Sequence, residues 1–111
     1  MNKNMELISE IKSCIDEGKY RDGERMAAQA MKNNPNSPVP HNLMGIILEK
    51  ENKHVQAMKH FRAAYALDPT YIPARFNMEQ YGTFFPMSNP AYSEEECVVR
   101  FQHDSCCDNV H

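Results

Sequence analysis

Apolar residues recur along this chain with the spacing of an α-helix in five consecutive segments. In the first segment they fall at positions i, i+1, i+4, i+7 and i+8, which places them on one helical face: Leu7, Ile8, Ile11, Cys14 and Ile15. The pattern predicts helices over about 4–17, 21–33, 38–51, 54–67 and 71–81. Gly18 and the turn sequences around Pro35 and Pro69 are helix-ending signals between them. We therefore predict an all-α fold.

Small and large residues on these segments indicate how the helices pack. Gly45 leaves room for a neighbouring helix to approach closely, and the small side chains of Ala57 and Ala64 do the same on the fourth helix. Phe61 and Tyr65 are large apolar residues on that helix. We expect both of them to be buried and to fill the space between helices.

The helical pattern repeats along the chain. Pro35 and Pro69 lie 34 residues apart, and the same offset relates Ala30 to Ala64. One helical hairpin cannot bury its apolar stripe in water, so stacked hairpins must shield each other. We therefore predict two similar hairpins, with a further helix that caps the second.

A set of small and large residues in the second hairpin matches the signature positions of a known repeat: Met44, Gly45, Leu48, Ala57, Phe61, Ala64 and Pro69. The stretch from Pro38 to Pro69 resembles a tetratricopeptide repeat, and the resemblance extends over about residues 4–82. It implies an α-solenoid of two helical hairpins, about 4–37 and 38–71, followed by a capping helix over about 71–82. Residues 1–85 would then form the body of the molecule.

In this family the first helix of each unit lines a concave groove in which partners usually dock. The resemblance assigns eight residues to that groove: Ile8, Lys12, Ile15, Asn42, Ile46, Glu49, Phe76 and Gln80. We expect Ile8, Ile46 and Phe76 to face open space, where exposed apolar residues mark an interaction site. Asn42 is expected to hydrogen-bond an extended backbone, and Lys12 to meet a carboxylate. The resemblance thus implies a groove for an extended peptide or an apolar helix.

Ordinary packing is the alternative explanation for part of this set. Ile8 and Ile15 are then core residues of a slightly rotated first helix, and Phe76 lies beneath the C-terminal tail. The positions with which some family members clamp paired C-terminal carboxylates read Ile8, Lys12, Leu43, Pro73 and Asn77 in this chain. One cation cannot hold two carboxylates, so a peptide ending in two acids is not the expected ligand.

Composition and charge argue against several classes of function. The chain has 111 residues, which suits one compact domain. Its net charge is −3, so it has no excess of positive charge with which to bind nucleic acid. It contains no long apolar run for a membrane span and no apolar core of a secretion signal, so we expect a cytoplasmic protein. No nucleophile elbow, glycine-rich phosphate loop or HExxH motif is present, and we therefore expect neither an enzyme nor a cofactor.

The tail, residues 86–111, differs from the body in charge and chemistry. Residues 1–85 hold 11 Lys and Arg against 10 Asp and Glu, whereas the tail holds one Arg against five acids. Ser93 followed by Glu96 is a capping-box pattern. It predicts a short helix over about 93–103 that packs on the end of the solenoid or over the groove. The tail also carries thiols and imidazoles, the ligand types of zinc: Cys97, His103, Cys106 and Cys107.

The sequence as a whole favours a protein-interaction module, a small adaptor or scaffold that binds a protein or peptide partner in the groove. The alternative is a metal- or redox-responsive module that uses the four tail residues, although they include no C-x-x-C pair. A third alternative is self-association into a homodimer through the open ends of the solenoid.

Overall fold

The computed structural model describes residues 3–81 and 91–93 of the chain. This part contains five α-helices: α1 Lys3–Asp16, α2 Tyr20–Asn33, α3 Val39–Lys50, α4 His54–Leu67 and α5 Ile72–Tyr81. No strand occurs within these residues, so the prediction of an all-α fold is confirmed for them. The helix predicted in the tail lies outside the described residues beyond Ser93, as do Cys97, His103, Cys106 and Cys107.

The turn that closes each helical hairpin has the same backbone geometry. Gly18 after α1 and Asn52 after α3 both adopt a left-handed conformation, with φ of 75° and 64°. Glycine and asparagine are the residues that most readily accept positive φ at the end of a helix. In each turn the next lysine donates its backbone N–H to a carbonyl five residues earlier, Lys19 to Cys14 and Lys53 to Leu48, both at 2.8 Å.

The ends of α2 and α4 are also equivalent. The backbone N–H groups of Asn34 and Asp68 each donate to the carbonyl four residues earlier, at 2.9 and 3.0 Å. A proline follows each of these residues and prevents the helix from continuing. Pro35 and Pro69 therefore stand in equivalent bends, and the 34-residue period of the sequence is also a period of the backbone.

Helix α3 lies at the centre of the molecule and contacts all four other helices. Nine of its residues are buried: Val39, Pro40, Asn42, Leu43, Met44, Gly45, Ile46, Ile47 and Leu48. Helices α1 and α5 both contact α3, whereas α2 and α4, which are described over their full lengths, do not contact each other. The odd-numbered helices α1, α3 and α5 therefore lie side by side, and we call the surface they share the odd-helix face.

Gly45 sets the distance between α3 and α4. A Cβ atom at this position would lie 2.5 Å from Cε1 of Phe61, closer than side chains pack. Phe61 is fully buried, and its ring stacks on that of Tyr81 of α5 with the centroids 5.9 Å apart. The predicted burial of Tyr65 is wrong, because Ala64 continues the buried stripe of α4 and leaves Tyr65 39% exposed.

One apolar core joins the helices to the segment 91–93. It includes Ile11 of α1, Ile47 of α3 and Phe61 of α4, together with Tyr92. Tyr92 lies well beyond the end of α5 in the sequence, yet only 6% of it is exposed. The chain therefore returns to the helices at this segment and completes their core.

Candidate functional site

Two asparagine side chains are completely buried on the odd-helix face. Asn42 lies near the start of α3 and Asn77 in the middle of α5, and both are 0% exposed. On α5 the buried residues are Pro73, Ala74 and Asn77, so Asn77 continues the buried stripe by one turn. A buried amide group without hydrogen bonds costs about 1–3 kcal/mol, so both side chains need partners.

The two amides bind each other and the backbone of Ala91. Asn77 Nδ2 donates to Asn42 Oδ1 at 2.8 Å and to the carbonyl oxygen of Ala91 at 2.7 Å. Asn42 Nδ2 donates to the same carbonyl oxygen at 3.1 Å, and the backbone N–H of Ala91 donates to Asn77 Oδ1 at 2.6 Å. Every polar atom of both side-chain amides therefore has a partner, and so do both backbone polar groups of Ala91.

This geometry identifies an extended backbone at Ala91. The N–H and C=O groups of one residue point to the same side in an extended chain, as in the hydrogen-bonded pair of two antiparallel strands. Asn77 binds both groups of Ala91, and the residue belongs to no helix or turn. The side chain of Asn77 thus takes the place that a neighbouring strand has in a sheet.

Helix α1 contributes a cation to the next residue of the segment. Lys12 Nζ lies 5.1 Å from the centroid of the Tyr92 ring, within the range of a cation–π interaction. Such contacts stabilise by about 0.5–1 kcal/mol at exposed sites. Each odd-numbered helix thus supplies a polar or charged side chain that contacts the segment, and we call Lys12, Asn42 and Asn77 the dipeptide cleft.

The structure places the eight residues predicted for the groove in different surroundings. Lys12 and Asn42 belong to the dipeptide cleft, where Asn42 bonds to the backbone of Ala91 and Lys12 lies over an aromatic ring. Ile15 and Ile46 are core residues with 6% and 0% exposure. The expectation that Ile46 faces open space is therefore wrong for this conformation, because the core that includes Tyr92 encloses it.

The other four predicted residues are partly buried. Ile8 packs against the core and is half-buried. Phe76 and Gln80 are half-buried on α5. Glu49 binds a residue outside the cleft, since its Oε2 lies 2.7 Å from Nδ1 of His54.

Asn77 and the segment 91–93 are the parts of the candidate site that the sequence does not predict. From the sequence, Asn77 stands out only as one of the positions with which some family members clamp paired carboxylates, where a cation would be needed. One signal could have identified it: Asn77 follows Pro73 and Ala74 at helical spacing, so a polar residue stands in a stripe that is otherwise apolar. No comparable signal exists for Ala91, whose role depends on its backbone.

Titratable groups with displaced pKa values lie outside the cleft. His41 Nδ1 of α3 is 3.2 Å from His60 Nδ1 of α4, and the two rings stack with their centroids 5.4 Å apart. Burial lowers the pKa of both residues, and His41 lowers the pKa of His60 further. Burial and the neighbouring Glu24 raise the pKa of Glu51. Within the described residues, no three His, Cys, Asp or Glu side chains come together as a metal site.

Comparison of the chain with protein-family models, curated proteins and solved structures found no match in any of the three. Among the described helices, none combines the length and apolar character that crossing a membrane requires.

Proposed function

We propose that this protein is an interaction module, a small adaptor or scaffold, whose odd-helix face binds an extended segment of a partner protein. The observation that carries this proposal is the set of hydrogen bonds to Ala91, whose backbone N–H and C=O are both bound by buried side-chain amides. In this proposal the segment 91–93 occupies the place that a partner takes, and it shows how a partner's backbone is held.

Hydrogen bonds to a main chain suit the recognition of another protein. They provide affinity that does not depend on the side chains of the partner, while neighbouring pockets add specificity. A core that only had to be stable would be filled more simply by apolar side chains, because buried amides are costly unless every polar atom is matched. Asn42 and Asn77 are matched only with the polar backbone of Ala91 between them.

We propose a tetratricopeptide-like α-solenoid of two hairpins, with α5 as the capping helix. Support comes from the equivalent turns after α1 and α3, the equivalent ends of α2 and α4, and the contacts that join the odd-numbered helices. In a solenoid of this kind the first helix of each unit lines the concave binding surface. Lys12, Asn42 and Asn77 all lie on such helices.

A peptide selection tests the proposed function. Random peptides of about ten residues are displayed to the full chain and to the full-chain variant Tyr92→Ala, whose own segment is held less firmly. We expect enriched peptides whose Kd, measured by calorimetry, rises about tenfold or more in the double variant Asn42→Leu/Asn77→Leu. Circular dichroism checks that this double variant, which has no unmatched side-chain amide in the cleft, keeps its helices.

The matched control is Gln29→Leu, which removes an amide from the exposed surface of α2. It should leave the Kd of the enriched peptides unchanged. Two results would contradict the proposed function: no enrichment on either chain, or peptides that bind the double variant as tightly as the parent.

A further inference from the structure

We infer that the partner segment carries a small residue followed directly by an aromatic residue, as Ala91 and Tyr92 do. This inference rests on the proposed function and adds the side-chain preference of the dipeptide cleft. The chain's own segment is the template, because it shows which side chains the cleft accepts next to a bound backbone.

The first position of the dipeptide requires a small side chain. Ala91 is 0% exposed, so a larger side chain would have to displace atoms that already pack against it. The backbone cannot retreat from them, because Asn42 and Asn77 hold it with hydrogen bonds of 2.6–3.1 Å. Alanine, glycine and serine are the residues that meet this requirement.

The second position requires an aromatic ring. Tyr92 is 6% exposed within the apolar core, and Lys12 Nζ lies 5.1 Å from its ring centroid. An aliphatic side chain would fill the same apolar site but would offer no negative π face to the ammonium group. The cation therefore adds a preference for aromatic residues to a site that is otherwise apolar.

The spacing between the two positions is fixed by the helices. Asn42 of α3 and Asn77 of α5 hold the small residue, whereas Lys12 of α1 lies over the ring. A segment in which the two residues are not adjacent can satisfy only one of these contacts. Adjacent small and aromatic residues in an extended segment therefore define the partner.

The test uses a fluorescein-labelled peptide of residues 88–95 as the probe, titrated with the full-chain variant Tyr92→Ala in fluorescence polarisation. We expect the peptide to bind. The Ala91→Leu version should bind at least about fivefold more weakly, because the larger side chain overpacks the buried position. The enriched peptides of the selection should also share an adjacent small and aromatic residue.

A second measurement isolates the contribution of Lys12. Lys12→Met, introduced beside Tyr92→Ala in the full chain, should weaken the parent peptide about 2–5-fold and leave the affinity of the Tyr92→Leu peptide unchanged. Methionine keeps an apolar stem of similar length and removes the ammonium group. The matched control is Lys59→Met on the exposed surface of α4, which should change neither affinity.

The outcomes separate this inference from the proposed function. The inference is overturned if the Ala91→Leu peptide binds as tightly as the parent, if Lys12→Met weakens both peptides equally, or if the enriched peptides lack the dipeptide. The proposed function survives each of these results as long as binding depends on Asn42 and Asn77. If no peptide binds, both are overturned. Light scattering that shows a dimer dispersed by the peptide would show that a second copy of the chain occupies the cleft. That result would overturn the inference that the occupant is a partner protein.

Discussion

Among the described glycines, Gly45 has the least room for a side chain. We predict that Gly45→Ala lowers the free energy of unfolding by about 1–2 kcal/mol, because its Cβ would lie 2.5 Å from the ring of the buried Phe61. The higher helix propensity of alanine, about 1 kcal/mol, offsets part of a larger steric cost. Urea denaturation followed by circular dichroism measures the change.

Gly23→Ala is the matched control for this substitution. A Cβ at Gly23 would lie 3.1 Å from Cδ1 of Ile47, the flexible end of a side chain that can move aside, so a change of less than about 0.5 kcal/mol is expected. Combining Gly45→Ala with Phe61→Leu should cost less than the sum of the two single changes. A Gly45→Ala protein as stable as the parent would show that the ring of Phe61 does not limit the approach of α4.

The individual residues of the cleft were predictable to different degrees. The family resemblance assigns Asn42 to the groove, because Asn42 lies on the first helix of the second hairpin. By the 34-residue period, however, Asn42 corresponds to Phe76, and Asn77 falls one position beyond it. Its place in the apolar stripe with Pro73 and Ala74 indicates burial, but a polar residue on a helix ordinarily faces water, and the buried partner that explains Asn77 is the backbone of Ala91.

At the scale of the helices, the sequence predicts where each helix begins and ends better than it predicts which side chains are buried. The breaks at Gly18 and Pro69 are local, because one residue's backbone preference is enough to end a helix. Which side chains are covered depends on neighbouring elements that local periodicity does not contain. Helical periodicity therefore predicts burial of Tyr65, which is exposed, and the family resemblance implies an open position for Ile46, which is enclosed.

The pair of His41 and His60 connects α3 to α4 and should make the stability of that contact depend on pH. Burial lowers the pKa of both imidazoles below the ordinary value of 6.5, and His41 lowers the pKa of His60 further. A base whose pKa is lower in the folded state contributes its full stability above pH 6.5 and loses it as pH falls through the folded pKa. We therefore predict that the free energy of unfolding decreases between pH 7.5 and pH 5, as measured by urea denaturation across that range (about 0.5 pH unit per step).

Two variants separate this pair from other titrating groups. His60→Gln removes one member, so the decrease in stability between neutral and mildly acidic pH should become smaller. His54→Gln removes a histidine from the same helix outside the pair and should retain the decrease caused by His41 and His60. A His60→Gln protein with the same pH dependence as the parent would show that the pair is not its source.

At the scale of the whole molecule, the segment 91–93 is the part that the sequence predicted least. The sequence predicts that the tail packs on the end of the solenoid or over the groove through a helix over about 93–103, which lies outside the described residues beyond Ser93. The contact that the structure does describe is made by two residues before that helix, Ala91 and Tyr92. A contact between distant parts of a chain leaves no period in the sequence, and a backbone hydrogen bond carries no side-chain signature.

Docking of this segment links the stability of the molecule to its affinity for a partner. We compare a chain that ends at Ser93 with one that ends at Met87, both of which retain α1 to α5. The shorter chain should be less stable by about 1–2 kcal/mol, because it loses the burial of the Tyr92 side chain. The loss is no larger because the entropy cost of ordering the segment disappears with it. Urea denaturation measures this difference.

The free energy by which docking of the segment stabilises the chain should also reduce the affinity of the cleft for a peptide. If a docked segment must leave before a peptide enters the cleft, removing it improves the apparent Kd by the factor that docking had imposed, about tenfold for each 1.4 kcal/mol. The loss of stability and the gain in affinity for the peptide of residues 88–95 should therefore agree between the two chains. A shorter chain that loses stability without binding the peptide more tightly would show that the segment 91–93 completes the core and does not compete for a binding site.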